Sequence, residues 1–256
     1  MTGFEFRELP GGMVELHDAR RNRRRTADIA SFEIAAFAVT GEQYAHVIGS
    51  TSDEQRPASS ISWLDAVHFC NAASELDGLE SAYEFDGEDV SWRTTAPGYR
   101  LPTEAEWEYS CRAGTSGPHY GPLSEVAWTS SDGVEAAQPV GMKVANGFGL
   151  HDTLGNVWEW CWDYLDPARY GDYRVFRGGG FADDAWNVRA SVRRGGAPGM
   201  SHPDLGLRLA RGGFDRRDVV QGWSPAADAE RSRIVGPLPS GWTPTGLDRD
   251  SGSAER

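Results

Sequence analysis

Acidic and thiol side chains alternate with tryptophans in one short segment, where the potential for chemistry is concentrated. Residues 158–163 read WEWCWD, and a period of two predicts a strand with the three tryptophans on one face. Glu159, Cys161 and Asp163 then share the other face. A carboxylate beside loop carbonyls suits a hard cation such as calcium, which takes about six to eight oxygen ligands. The alternative is that Glu159 pairs with a buried arginine, because a buried acid needs a partner.

Cysteine and histidine supply the other common metal ligands and nucleophiles. Cys70, Cys111 and Cys161 lack CxxC spacing, which argues against a zinc ribbon or a dithiol redox site, so we expect reduced, partly buried thiols. The six histidines lie too far apart in sequence for two of them to act as ligands from one element. The chain also lacks a GxSxG nucleophile elbow and a GxxxxGKS/T phosphate loop.

Three short helices are predicted upstream of residues 158–163. Capping boxes begin at Thr40 (TGEQ) and at Thr103 (TEAE), where the cap side chain and the N3 side chain each bond the other's backbone amide. Another helix begins near Ser62, has apolar residues at helical spacing and ends at Gly78. The helix after Thr103 ends before Gly114.

Strands lie on either side of these helices. Loose alternation over residues 13–34 predicts an early hairpin, and we interpret the basic run 20–25 as its solvated turn. After Gly114, turn residues separate short predicted strands at 157–162, 175–181 and 188–192. Early helices followed by an irregular β region favour an α+β domain over βαβ repeats.

Composition restricts the class of protein. The chain has 256 residues, 39% of them hydrophobic, which suffices for one sizeable core. Its net charge of −13 argues against nonspecific nucleic-acid or anionic-membrane binding. No stretch approaches the roughly 20 apolar residues of a membrane span, and the N-terminus lacks the apolar core of a signal peptide. These features predict a soluble, cytoplasmic protein.

The chain is predicted to be one domain, residues 1–211, followed by an extended arm, residues 212–256. The arm is rich in Gly, Pro, Ser, Asp and Arg and cannot bury enough surface to fold alone. We expect it to dock through its few apolar residues and to be disordered after Leu247. Those residues are Trp223, Ile234, Val235, Leu238 and Trp242.

Three blocks in a fixed order indicate a family. They are residues 100–109 (RLPTEAEWEY), 155–160 (GNVWEW) and 177–181 (RGGGF), followed by the ending GLRLA at 206–210. Together they resemble the formylglycine-generating enzyme, or sulfatase-modifying factor, family over residues 8–211. The resemblance implies an α+β, C-type-lectin-like fold that is rich in loops, with short helices and a small twisted antiparallel sheet.

The resemblance also implies calcium as a structural ion. The family's site falls on the GNVWEW block, where the carboxylate of Glu159 would be joined by Asn156 and the carbonyls of Gly155 and Val157. A second family calcium site would involve the loop at 128–133, which matches the family poorly.

The copper-binding cysteines of the family are not present at the matching positions of this sequence. At the third block, formylglycine-generating enzymes have a sequence similar to RGGSYxCxxxxC, in which the two cysteine thiolates bind copper(I). The family's serine falls on Gly180 and its two cysteines on Asp183 and Val188. Because copper(I) prefers soft thiolate ligands, we expect neither copper binding nor formylglycine formation.

The resemblance implies that the family's groove is retained, and three functional hypotheses follow. The first is a protein that binds a small molecule, peptide or protein in that groove, with no role for nucleic acid or membrane. The second is a divergent oxidase using non-haem iron held by His151, His202 and Asp183. The third is a retroelement-diversified binding protein with its variable residues within 181–205. The expected groove residues are Trp160, Gly180, Phe181, Asp183, Asp184, Trp186, Asn187 and Arg189.

Overall fold

The computed structural model describes residues 1–18, 23–52, 54–87, 89–165 and 170–212. The predicted arm beyond Gly212 therefore lies outside the described residues, as does the centre of the basic turn. The helices are α1 Gly41–Val47, α2 Trp63–Leu76, α3 Glu104–Arg112 and α4 Leu123–Val126, with a 3-10 turn at Ser130–Asp132. The strands are β1 Phe6–Leu9, β2 Gly12–Asp18, β3 Arg23–Ile29, β4 Phe32–Ala35, β5 Tyr83–Asp86, β6 Asp89–Trp92, β7 Trp158–Tyr164, β8 Arg174–Arg177, β9 Arg193–Gly196, β10 Leu205–Gly206 and β11 Ala210–Arg211.

These strands form several small sheets, as the loop-rich α+β prediction requires. A four-stranded sheet has the order β10-β7-β8-β9, and a three-stranded sheet has the order β1-β4-β11. The pairs β2–β3 and β5–β6 are separate hairpins. All of these pairings are antiparallel except that of β10 with β7. The described helices are too short or too polar to cross a bilayer.

The three predicted helices are confirmed, and each begins at a capping box. Thr40, Ser62 and Thr103 accept a hydrogen bond from the N3 amide, and the N3 side chain bonds back to the cap amide. These reciprocal bonds satisfy two of the donors that every helix start leaves without an intrahelical partner. The sequence therefore fixes where each helix begins before any tertiary contact is considered.

The strand predictions have a mixed outcome. The early hairpin is confirmed as β2–β3. Strands β7 and β8 overlap the segments predicted at 157–162 and 175–181, but β7 ends two residues later and β8 begins one residue earlier and ends four residues earlier. The strand predicted at 188–192 is wrong. The amide of Ala190 bonds to the carbonyl of Pro118, and the amide of Val192 folds back to Arg189, so this stretch is a turn and β9 begins after it. The β5–β6 hairpin was not predicted.

Strand β7 is the centre of the molecule, and all seven of its residues are buried. Its tryptophans pack on one side, in the largest core cluster with α2, whereas Cys161 belongs to a second cluster with Trp107 of α3. The period of two predicted from the sequence therefore places the two faces of β7 in two different parts of the core.

The other side of β7 is rich in buried charge. Helix α3 contributes three glutamates with relative exposures of 2% or less, and buried carboxylates require partners. The pairs are Glu104 with Arg193, Glu106 with Arg100, and Glu108 with Arg112 and Arg177.

We predict that Glu106→Gln destabilises the protein strongly. Glu106 accepts two hydrogen bonds from Arg100, at 2.7 and 2.8 Å, and both side chains are buried. Removing one partner of such a pair costs about 3 kcal/mol or more, because the other charge stays buried. Chemical denaturation of the full chain measures the loss. The matched control is Glu15→Gln in the exposed pair with Arg24, for which we expect less than about 1 kcal/mol; equal losses would contradict the account.

Candidate functional site

Glu159, the acid with the strongest calcium expectation, lies in a buried ion pair. It is 0% exposed, and its Oε1 accepts from Nη2 of Arg208 at 2.7 Å. Its Oε2 accepts from Nε1 of Trp107 at 2.7 Å and from Nε of Arg208 at 3.0 Å. Glu159 is thus paired with a buried arginine, which is the alternative considered from the sequence.

Asn156, the neighbouring candidate ligand, is also engaged. It adopts a left-handed backbone conformation, with φ of 62°. Its side-chain oxygen accepts from the amide of Gln138 at 2.8 Å, while its Nδ2 donates to the carbonyl of the same residue at 3.0 Å. A calcium ion bound by the side chains of Asn156 and Glu159 would have to displace both Gln138 and Arg208. The residues as arranged therefore do not fit such an ion.

The second calcium-type loop, residues 128–133, holds an internal cation. The ammonium of Lys143 donates to Oδ1 of Asp132 at 2.9 Å and to the carbonyl of Ser124 at 2.6 Å. It also lies 4.1 Å from the centroid of the Trp128 ring. Partial burial raises the pKa of Asp132, but hydrogen bonds from Lys143 and Thr129 outweigh that effect, so its pKa lies below the usual value.

Asp183, at the position of the family's first copper cysteine, organises the loop around it. Its Oδ2 accepts from Nε1 of Trp158 at 2.6 Å and from the amide of Gly180 at 2.9 Å. Its Oδ1 accepts from Nδ2 of Asn187 at 3.1 Å, and Nη1 of Arg194 lies 3.7 Å away. The carboxylate is therefore used to hold residues 180–187 in place.

The other two positions of the copper motif are also occupied by packing. Val188 is 0% exposed and lies close against Gly179. A β-carbon on Gly180 would collide with the side chain of Asp204, 2.7 Å from its Cγ and 2.9 Å from its Cβ. Asp204 therefore fills the space that the family's serine side chain would need.

The three cysteines lie elsewhere, and all are buried and free. Desolvation raises the pKa of Cys111 to about 12 and raises those of Cys70 and Cys161 as well. Neutral thiols are poor ligands for copper(I), which binds thiolates. The residues at and around the copper motif do not fit a copper(I)–dithiolate centre.

The iron ligand set is not assembled either. Within the described residues, no group of three or more His, Cys, Asp or Glu side chains is arranged to hold a metal ion. His151 stacks on Phe37 and bonds through Nδ1 to the carbonyl of Lys143. His202 pairs with Asp204. Sequence reasoning missed this pair, although the spacing His-Pro-Asp at 202–204 was available as a signal.

The predicted groove residues divide into a buried set and an exposed set. Trp160 is fully buried, and its Nε1 donates to the carbonyl of Ile61, so placing it in the groove lining was wrong. Gly180 and Asn187 are buried as well, whereas Phe181 and Arg189 are partly exposed. Asp184 and Trp186 are exposed, Trp186 at 63%. Two residues that were not predicted for the groove contact Asp183: Trp158 through its indole and Arg194 through its guanidinium.

The fold defines the class of protein as a C-type-lectin-like domain of the formylglycine-generating type. Residues 5–212 match the model of the sulfatase-modifying factor enzyme 1-like domain. The chain belongs to this family.

Relatives in the family carry different names. The chain is 29% identical over 231 residues to the chaperone protein LppX of Paenibacillus barcinonensis, covering 73% of this chain and 82% of that protein. It is 29% identical over 278 residues to the formylglycine-generating enzyme of Streptomyces coelicolor, covering 79% and 87%. It is 28% identical over 263 residues to the inactive C-alpha-formylglycine-generating enzyme 2 of Bos taurus, covering 80% and 87%. Family membership alone therefore does not decide the activity.

Among solved structures, variable protein 1 of Treponema denticola superposes with a TM-score of 0.76 at 27% identity. The match covers 82% of this chain and 97% of that one. The overall fold predicted from the sequence is thus confirmed.

We predict that Gly180→Ala destabilises the protein by about 1–3 kcal/mol, because the added methyl group overpacks against Asp204. Gly199→Ala is the matched control: a β-carbon there meets nothing within 4 Å, and we expect a change within about 0.5 kcal/mol. Thermal and chemical denaturation measure both. Part of the Gly180→Ala loss should disappear in an Asp204→Ala background; a loss that is the same in both backgrounds would show that the contact is not the cause.

Proposed function

We propose that this chain binds a small-molecule, peptide or protein ligand at the loop surface around residues 181–187 and does not generate formylglycine. The observation that carries the proposal is the hydrogen bonding of Asp183. At the position where the family's enzymes have a copper cysteine, this carboxylate accepts from Trp158, Gly180 and Asn187. It stabilises a loop and supplies no redox ligand.

The surrounding chemistry supports binding over oxidation. Val188 is buried at the second cysteine position, and all three cysteines are buried, free thiols. In the two segments where the resemblance implies calcium, Glu159 is paired with Arg208 and Asp132 is paired with Lys143. A relative whose name marks it as inactive is consistent with a family in which the fold persists without the reaction, since one scaffold can host several functions.

We predict that the full chain produces no formylglycine in a peptide containing Cys-x-Pro-x-Arg when supplied with copper(I), reductant and oxygen, as measured by mass spectrometry. We also expect it to lose a competition for copper(I) against a chelator such as bicinchoninate, because it presents no thiolate pair. The formylglycine-generating enzyme of Streptomyces coelicolor is the positive control. Stoichiometric copper(I) binding, or aldehyde formation in the peptide, would overturn the proposal.

A second candidate is a retroelement-diversified binding protein, and the similarity to a solved protein named as variable favours it. Exposed positions are frequent in the stretch concerned: Ala182, Asp184, Ala185, Trp186, Arg194, Ser201 and His202 all face solvent. Substitution at such positions leaves the core intact. A near-identical, adenine-rich template repeat and a reverse transcriptase beside the gene would support this candidate, whereas their absence from the locus would remove it.

A further inference from the structure

Trp186 is a large apolar side chain with no structural role in the described part of the chain. It is 63% exposed and takes part in no hydrogen bond or ring contact among the described residues. A large exposed apolar side chain that lies beside polar groups is typical of a site of interaction with another molecule. Trp186 lies three residues from Asp183, which is the organising residue of its loop.

The loop that carries Trp186 is held in one conformation. Besides the bonds made by the Asp183 carboxylate, the amide of Ser130 donates to the carbonyl of Asp183 at 3.0 Å, and the Ser130 hydroxyl donates to Asp184 at 3.0 Å. The amide of Asn187 donates to the carbonyl of Asp184 at 2.8 Å. A partner that contacts Trp186 therefore does not have to order the loop, which reduces the entropic cost of binding.

Arg194 provides an oriented guanidinium beside this loop. Its Cζ lies 5.1 Å from the centroid of the Trp158 ring. Its Nη1 is 3.7 Å from Oδ1 of Asp183, which is close enough for an ion pair but beyond hydrogen-bond distance. Asp183 already accepts three hydrogen bonds, and the Arg194 side chain is 44% exposed. Apart from this ion pair, no hydrogen bond of the guanidinium N–H groups to the described residues is seen, so these groups can also bind a carboxylate of a ligand, whose planar geometry a guanidinium matches.

The carboxylates on this side of the loop already have partners within the chain. Asp183 accepts three hydrogen bonds from neutral donors and forms an ion pair with Arg194, and Asp204 pairs with His202. Asp184 is exposed, but one of its oxygens is turned to Ser130. The net charge of the chain is −13. Its exposed charges that lie more than about 8 Å from the bound ligand are largely screened at physiological salt, so they repel an acidic partner only weakly. The partly exposed guanidinium of Arg194 is the group through which this surface would bind a carboxylate.

Building on the proposed function, we infer that this surface binds a peptide segment that places a carboxylate on Arg194 and an apolar side chain on Trp186. Tryptophan and arginine are the residues that most often dominate the energy of protein interfaces, especially when they are held rigidly. A bare anion would leave Trp186 in water, and a purely apolar ligand would leave Arg194 without an acceptor. An acidic, apolar peptide satisfies both groups.

The test is selection of short random peptides displayed on phage against the immobilised full chain, followed by affinity measurements with the selected peptides. We expect the selected peptides to carry Asp or Glu near a large apolar residue. Trp186→Ala and Arg194→Gln should each weaken binding by about 10-fold or more. The matched controls are Met142→Ala and Arg56→Gln, which alter exposed side chains elsewhere; they should change the affinity by less than about 2-fold.

The outcomes separate this inference from the proposed function. Peptides that lose affinity with Trp186→Ala but not with Arg194→Gln, or that lack acidic residues, would overturn the acidic class while leaving binding at this surface intact. Peptides unaffected by either substitution would contradict both. Circular dichroism and unfolding of the two variants, whose side chains are exposed, verify that any loss of binding does not come from loss of the fold.

Discussion

The buried ion pair between Glu159 and Arg208 joins the segments that surround β7. Glu159 lies on β7, Trp107 donates to it from α3, and Arg208 also donates to the carbonyls of Ala35, at 2.9 Å, and His151, at 2.7 Å. Five separate segments therefore meet at two side chains that are both fully buried. Because two buried charges are costly unless each hydrogen bond is satisfied, this contact admits few alternative arrangements of the segments around β7.

The same principle explains the loops in which the family places metal ions and redox groups. Arg208 and Lys143 are internal cations paired with Glu159 and Asp132, in the two segments where the resemblance implied calcium, and Asp183 is an internal acceptor where the resemblance places the first copper cysteine. In each case the partner is a side chain of the same chain, which needs no binding equilibrium. The loops at 128–133 and 180–187 are thereby fixed in place, and their exposed side chains become a preorganised surface.

The sequence predicted those features that depend on neighbours along the chain. The capping boxes at Thr40 and Thr103 define helix starts because both partners lie within one turn, and the alternation in β7 correctly separates its two faces. Contacts between distant residues were not predictable in the same way. The pairing of Glu159 with Arg208, 49 residues away, remained one of two alternatives, and Trp160 was placed in the groove although it is a core residue. The turn at 188–192 resembles a strand in sequence because its apolar and polar residues alternate, with Val188 and Ala190 buried and Arg189 and Ser191 partly exposed.

A calorimetric titration of calcium into the full chain after treatment with a chelator, combined with thermal unfolding in calcium and in EDTA, shows whether the loops of the chain bind calcium. If Arg208 and Lys143 serve as the internal cations, the titration shows no saturable heat and the unfolding temperature is the same in both solutions. A saturable isotherm near one ion per chain, abolished by Glu159→Gln and accompanied by a higher unfolding temperature in calcium, would contradict the account.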